Sequence, residues 1–397
     1  MRILCIIDCL GSGGAQRQMT YLACGLKRRG HDVELFLTHP DGNQFFRKEI
    51  DAAGIPVHGV ARGRRTGFSL RVLIAMRRVM AVGFDGVIAF QMSANGYAVC
   101  ARLLSRGRIR ILMCGERTSA IGASSLLRKA LLWMTGALSD RVVANSHSHA
   151  RYLRSLPGLS NRVHVVWNGY PTGAATWQPS CSQNPRRPLL LAVGRRATEK
   201  NGLRLIQALG LVRRRFGWTP RLRWAGVQQS DEASLEMSRS IDDTLRNDAS
   251  LGSEVVFLGE VSDPGELYRS SDALILPSLH EGLPNVVCEA MLAGCPVIAS
   301  DVCDHPLLLG HGERGLLCDP WSPESIADAI ERFRGMSQGE RAKMAERASR
   351  FACANLGVDK MVQQYEELLL GRPTAKSWAG AESPETPVRK SSGHSGT

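Results

Sequence analysis

Short apolar runs and longer stretches with helical spacing alternate over the first 170 residues. "ILCIIDCL" and "DVELFLT" read as strands, and between them "AQRQMTYLACGLKRRG" sets Met19, Leu22, Ala23 and Leu26 at a helical spacing. "GIPVHGV", "DGVIAFQ", "RIRILMCGE", "DRVVANS" and "RVHVVWNG" continue the strand series, with helical segments between them. Repetition of this kind predicts a parallel, doubly wound α/β sheet. The stretch up to residue 188 is aperiodic and rich in Pro, Ser, Thr, Asn and Gln, which predicts a linker over 173–188. The pattern then restarts with "LLLAVGR", the helical "GLRLIQALGLVRRRF", and the runs "RLRWAG", "EVVFLGE", "DALILPS", "PVIAS" and "GLLCD". This is a second α/β domain. Helical segments carry the chain to about residue 370, and the polar remainder, 371–397, is expected to be disordered.

Composition agrees with two globular domains. The chain has 397 residues, 44% of them apolar. No run of 18 or more apolar residues is present to span a bilayer. "MRILCIIDCLGSGG" reads as a buried first strand rather than a signal peptide. The 11 cysteines are scattered without zinc spacing, which suits reduced thiols and a cytoplasmic setting.

Charge is divided unevenly. Residues 1–170 hold 24 Lys/Arg against 9 Asp/Glu, a net +15, so the overall +13 leaves −2 for the remainder. Such a front half calls for an anionic partner, unless the arginines merely reflect a GC-rich coding sequence.

Three loops carry candidate chemistry. Gly11-Ser12-Gly13-Gly14-Ala15-Gln16 follows the first strand and opens a helix, where glycines let backbone approach an anion. Gln16 stands where a dinucleotide fingerprint needs glycine, so a phosphate loop or a plain tight turn remains. In "VGRRATEKNG", Arg195 and Lys200 lie across a turn at a strand's end, placed for a diphosphate. Pairing of one of them with Glu199 is the alternative. In "HEGLPNVVCEAMLAGCPVIASD", Pro284 suits the first helical position, and the Leu283 and Asn285 N–H groups mark an anion site. Glu281 precedes that helix and Glu289 lies one turn into it. Carboxylates bind vicinal hydroxyls well, so the spacing fits a nucleotide sugar, polyol at both ends and diphosphate between. A helix with one dipole-stabilised acid and one merely exposed acid is the bland alternative.

Together these loops resemble the retaining glycosyltransferases of family 4, which have the GT-B fold: two Rossmann-like domains facing across a cleft. The glycine loop is similar to that family's "GGAE" signature, "VGR…EKN" to its "VGR…KG" loop, and "EGLPNVVCE" to its E-x7-E motif. The resemblance runs from residue 1 to about 370. It implies a first, acceptor-side domain over 1–172, a nucleotide-sugar domain over 189–352, and a helix over 353–370 that crosses back to the first domain. It implies that Gly13 and Gly14 offer N–H groups to the donor phosphate, and that Arg195 and Lys200 neutralise the departing diphosphate. Glu281 would hold the donor sugar, Glu289 the ribose, and backbone near Leu258 and Gly259 the base. Gly282, Leu283, Pro284 and Asn285 complete the donor loop. Gln16 replaces a frequent glutamate, and Glu116 and Arg117 stand where a sugar-facing histidine often lies. All three are candidate acceptor or sugar contacts.

No Asp-x-Asp occurs, so neither a metal nor another cofactor is expected. Arg71, Arg77 and Arg78, and the stretch "SSLLRKALLWMTGAL" with its polar stripe Ser125, Arg128, Lys129 and Thr135, suit an anionic membrane. A core helix with a solvated edge is the alternative. The expected partners are a nucleotide-diphosphate sugar, most simply a UDP-sugar, and a saccharide acceptor, polyprenyl-diphosphate-linked, at the inner face of the cell membrane. A nucleotide-sugar epimerase of the same architecture is the rival enzyme. Nucleic acid is disfavoured, because aromatics are only 6% and are not interleaved with the arginines.

Overall fold

The computed structural model describes residues 1–61, 67–105, 109–117, 126–172, 187–261 and 263–372, apart from the side chain of Leu127. All but the last two residues of the expected linker, and the expected tail beyond residue 372, lie outside this set.

The first sheet has seven strands: β1 (Arg2–Ile7), β2 (Asp32–Leu37), β3 (Val57–Gly59), β4 (Phe84–Phe90), β5 (Ile109–Glu116), β6 (Arg141–Ala144) and β7 (Val163–Val165). Helices α1 (Gly14–Arg28), α2 (Arg47–Ala52), α3 (Leu70–Met80), α4 (Met92–Leu104), α5 (Leu126–Ala137) and α6 (His147–Arg154) connect them. The order is β3-β2-β1-β4-β5-β6-β7, every pair parallel. Alternation along β1 explains the two layers. Ile3, Cys5 and Ile7 enter the core under α1, while Leu4 and Ile6 enter the core under α3 and α4.

The second sheet has six strands: β8 (Leu189–Val193), β9 (Arg221–Ala225), β10 (Val255–Gly259), β11 (Ala273–Leu276), β12 (Val297–Ser300) and β13 (Leu316–Cys318). Its order is β10-β9-β8-β11-β12-β13, again all parallel. The helices of this half are α7 (Gly202–Phe216), α8 (Glu232–Asn247), α9 (Ala249–Gly252), α10 (Gly265–Ser270), α11 (Asn285–Leu292), α12 (His305–Leu308), α13 (Pro323–Gly335) and α14 (Gln338–Asn355). Two doubly wound sheets match the fold expected of the sequence. In each, strand order reverses beside the first strand, at β1/β4 and at β8/β11. Loops at such switch points form the ligand crevice of open α/β sheets.

The last helix, α15 (Val358–Leu369), belongs to the first domain's core. Its Met361, Val362, Tyr365, Leu368 and Leu369 pack with Ile3, Leu22 and Phe90. The chain passes between domains beside Tyr170, whose N–H donates to Leu356 O (2.8 Å) and whose carbonyl accepts from Val358 N–H (3.1 Å).

One surface reading is corrected. Thr135 does not join a solvent-facing polar stripe. It is 2% exposed, and its hydroxyl donates to the Leu131 carbonyl (2.9 Å). The outward face of α5 and the residue after it is apolar instead, with Leu126 81%, Trp133 44%, Met134 41% and Leu138 42% exposed. Helical period cannot say which apolar side a neighbour covers. Here Leu132, Thr135 and Gly136 are buried, while Leu126, Leu131, Trp133 and Met134 are exposed.

Candidate functional site

A cavity of about 650 Å³ opens between the two domains. From the second domain it is lined by Arg195, Glu199, Lys200, His280, Glu281, Gly282, Leu283 and Asn285. From the first it is lined by Gly14, Ala15, Gln16, Gln91, Met92, Ser93, Arg117, Asn145 and Asn168. All three loops singled out in the sequence therefore contribute to one space.

The loop after β8 is shaped by two residues. Gly194 has φ +140, and a Cβ there would come 3.2 Å from Lys200 Cε, so this position needs glycine for conformation and for room. Asn201 adopts the left-handed conformation (φ 60, ψ 38) and donates from Nδ2 to the carbonyls of Pro277 (2.9 Å) and Pro320 (2.7 Å). The folded-back loop brings Lys200 Nζ to 2.6 Å from Glu281 Oε1. Ser278 Oγ donates to the same oxygen at 2.8 Å. Burial pushes the Glu281 carboxyl up, but Lys200 beside it, together with His305 and Ser278, holds it below its ordinary range. Arg195 is more exposed, hydrogen-bonded to Gln229 and 3.7 Å from Glu199. The Glu199 pairing weighed for one of these cations is present at Arg195, and Lys200 pairs with Glu281, yet both cations still line the cavity.

The helix after β11 starts one residue later than the sequence suggests. Pro284 is its N-cap, with ψ 90, and Asn285 is the first helical residue. No side chain caps this end, so first-turn N–H groups are left for a ligand. Leu283 and Asn285 line the cavity, and Pro284 does not. The first domain's glycine loop comes up against this helix: a Cβ on Gly14 would sit 3.0 Å from Asn285 Nδ2.

Of the other candidates, Glu289, Gly13, Leu258, Gly259 and Glu116 lie off the cavity wall, while Gln16 and Arg117 line it. Glu289 receives Tyr268 Oη at 3.0 Å and pairs with Arg17 Nη1 of the first domain at 3.2 Å. Burial raises its carboxyl above the ordinary range despite Arg17. Gly13 caps α1 without lining the cavity, and Gln16 Nε2 folds back onto Asp8 Oδ1 (2.9 Å). Leu258 and Gly259 end the edge strand β10, outside the lining. Glu116 is corrected as a cavity contact: it is 5% exposed, and its Oε1 accepts from Asn95 Nδ2 at 2.7 Å. Burial pushes its carboxyl up to about 7. Arg117 does line the cavity, stacking 3.9 Å from the Phe90 ring and donating to Tyr365 Oη (2.7 Å) and to Asn168 Oδ1.

Two family descriptions match the chain in tandem. Residues 12–173 match Glycosyltransferase Family 4, and residues 187–334 match Glycosyl transferases group 1. The chain belongs to glycosyltransferase family 4. Among relatives of this chain, the exopolysaccharide phosphotransferase of Streptomyces coelicolor is 35% identical over 159 residues, 38% of this chain and 15% of that protein. The lipopolysaccharide core biosynthesis glycosyltransferase LpsE of Rhizobium meliloti is 24% identical over 237 residues, 59% of this chain and 65% of that one. The matches thus span less than two thirds of either curated relative. In structure, Anabaena HepE in complex with UDP-glucose superposes with a TM-score of 0.75 at 20% identity, over 94% of this chain and 100% of that one. That likeness establishes the GT-B fold.

The two domains are tied together by residues that the sequence reading did not single out. Asn168 Nδ2 and Tyr170 Oη both donate to Asn285 Oδ1, at 2.8 and 2.6 Å. Asp304 is fully buried, and its carboxylate accepts the N–H groups of His147 (2.7 Å) and Ser148 (2.8 Å), which open α6 of the other domain. Trp167 Nε1 donates to it as well, at 3.3 Å.

Proposed function

We propose that the enzyme moves a hexosyl or N-acetylhexosaminyl group, with retention at the anomeric carbon, from a UDP-sugar to a saccharide acceptor. The observation that carries this reading is the meeting of Lys200, Arg195, Glu281 and the uncapped start of α11 in one cleft between the domains. Departure of a nucleoside diphosphate builds negative charge on its oxygens and positive charge on the sugar ring. Lys200, Arg195 and the helix N-terminus stabilise the first, and they take the place of a metal ion. Glu281 holds sugar hydroxyls, Glu289 the ribose, and Gly13 and Gly14 face the phosphate from the other domain. The base lies against backbone near Leu258 and Gly259. UDP-glucose bound to the similarly folded HepE supports uridine as the base.

The acceptor, in this reading, is carried on a polyprenyl diphosphate in surface polysaccharide or glycolipid synthesis, and the enzyme works on the inner face of the cell membrane. The support is the exposed apolar face of α5 beside Arg128 and Lys129, together with the basic excess of the first domain. No helix among the described residues is long and apolar enough to cross a membrane.

Thermal-shift measurements against UDP, GDP, ADP and their sugars test the donor. Stabilisation by UDP and a UDP-sugar is expected, and preference for another base overturns that assignment. Transfer that persists in EDTA is expected. Loss in EDTA restored by manganese would sink the metal-free mechanism.

A further inference from the structure

The first domain's wall of the cleft holds a buried polar atom left unpaired among the described residues. Asn145, between β6 and the capping Ser146 of α6, is 4% exposed, yet it lines the cavity. Its Oδ1 has no hydrogen-bond partner among the described residues. A Cβ on Gly282 would lie 3.6 Å from that oxygen, so Asn145 sits directly opposite the loop that carries Glu281. On the same wall Gln91 has φ 79 and ψ 149, a backbone region open essentially to glycine alone. Strain of this kind persists where the surroundings enforce it, and it concentrates at working sites. The strained turn delivers Gln91, Met92 and Ser93 to the cavity, and no side chain caps the helix they start.

A carbonyl oxygen buried without a donor is costly to leave unmet. Water in the open cleft can serve it, but closure over substrate expels water, and the donor must then come from the substrate. The oxygen accepts hydrogen bonds and carries no proton to give, so it disfavours the diphosphate and matches a hydroxyl. We propose that Asn145 Oδ1 accepts a hydrogen bond from a saccharide hydroxyl, on the sugar being moved or on the acceptor that receives it. The inference rests on the glycosyl-transfer reading above and adds to it a positioning group from the first domain. Lys200 and Glu281 across the cleft address charge and the donor's own hydroxyls. Asn145 fixes the remaining rotation of the bound saccharide about the axis between those contacts.

The test compares wild type, Asn145→Ala and Asn145→Asp in two assays, using the UDP-sugar that wild type turns over. One is transfer to acceptor, with kcat and KM for each substrate. The other is hydrolysis of the donor with no acceptor present. Asn145→Ala is expected to lose about 10- to 100-fold in kcat/KM. Asn145→Asp keeps the shape and an accepting oxygen, and it is expected to stay within about tenfold of wild type. A loss shared by hydrolysis and transfer, with donor KM affected, places the hydroxyl on the donor sugar. A loss confined to transfer, with acceptor KM affected, places it on the acceptor. In either case the matching deoxy-saccharide should cost wild type far more than it costs Asn145→Ala, which a purely structural role would not produce. Unchanged rates for Asn145→Ala in both assays overturn the inference, as does an equally damaged, folded Asn145→Asp. Wild type that neither transfers nor hydrolyses any UDP-sugar would instead sink the glycosyl-transfer reading itself.

Discussion

Arg17 of the first domain and Glu289 of the second form an ion pair at 3.2 Å across the domain boundary. The pair engages the carboxylate that the proposed mechanism assigns to the ribose, so nucleotide must compete with Arg17 for it. Burial raises Glu289, and Arg17 holds it partly down. Only the ionised form accepts two ribose hydroxyls, so UDP affinity should fall as pH drops through this raised value. Titration calorimetry across acidic to neutral pH checks it. Arg17→Ala should move the falling limb to higher pH, and Glu289→Gln should abolish it.

The Lys200–Glu281 pair is mostly shielded, with side chains 17% and 14% exposed. Removing one partner strands the other charge, which costs about 3–5 kcal/mol when the pair is buried. Lys200→Ala should approach the lower figure in denaturant unfolding, and it should abolish measurable transfer. Lys200→Met with Glu281→Gln should recover most of the stability and none of the activity. The Glu281 carboxyl is held below its ordinary 4.5, so its stabilisation is present above that pH and lost as pH falls through the depressed value. Wild type should therefore lose this increment as pH falls below 4.5, and Glu281→Gln should not show the loss.

Asp304 satisfies two backbone donors and an indole from the other domain. Asp304→Ala leaves these groups without their acceptor, a loss of about 1–3 kcal/mol for buried groups. Thermal unfolding should show it as a lower midpoint, and small-angle scattering should show a wider distribution of domain separations. An unchanged scattering profile would mean that other contacts hold the domains.

The apolar face of α5 makes a membrane prediction. Leu126→Glu with Trp133→Glu should remove co-sedimentation with anionic liposomes and leave transfer to a soluble acceptor analogue within about twofold, since exposed substitutions seldom disturb a fold. Wild type that ignores both anionic and neutral vesicles contradicts the proposed location.

Much of the architecture was written in local pattern. β8 and β11 and all of β1 after Arg2 lie in the sheet interiors, so their runs are continuously apolar, and the glycine-bearing loops at their ends stood out against them. Arg195, Lys200 and Glu281 were legible because they sit at such ends. Asn145, Asn168 and Asp304 were not: each acquires its meaning from a partner more than a hundred residues away in the chain, and no local spacing encodes that. Glu289 sat at the expected distance in sequence, but its rotation on α11 turns it toward Tyr268 and Arg17 rather than into the cavity. Thr135 misled for the same reason, since periodicity gives a face without saying what lies against it.

Helix α15 completes the hydrophobic interior of the first domain from the far end of the described chain. Anyone exchanging halves between this enzyme and a relative must therefore splice twice, once near residue 172 and again near residue 357. A single-junction chimaera would force a foreign helix against Ile3, Leu22 and Phe90, and it would fail by aggregation before its specificity could be measured.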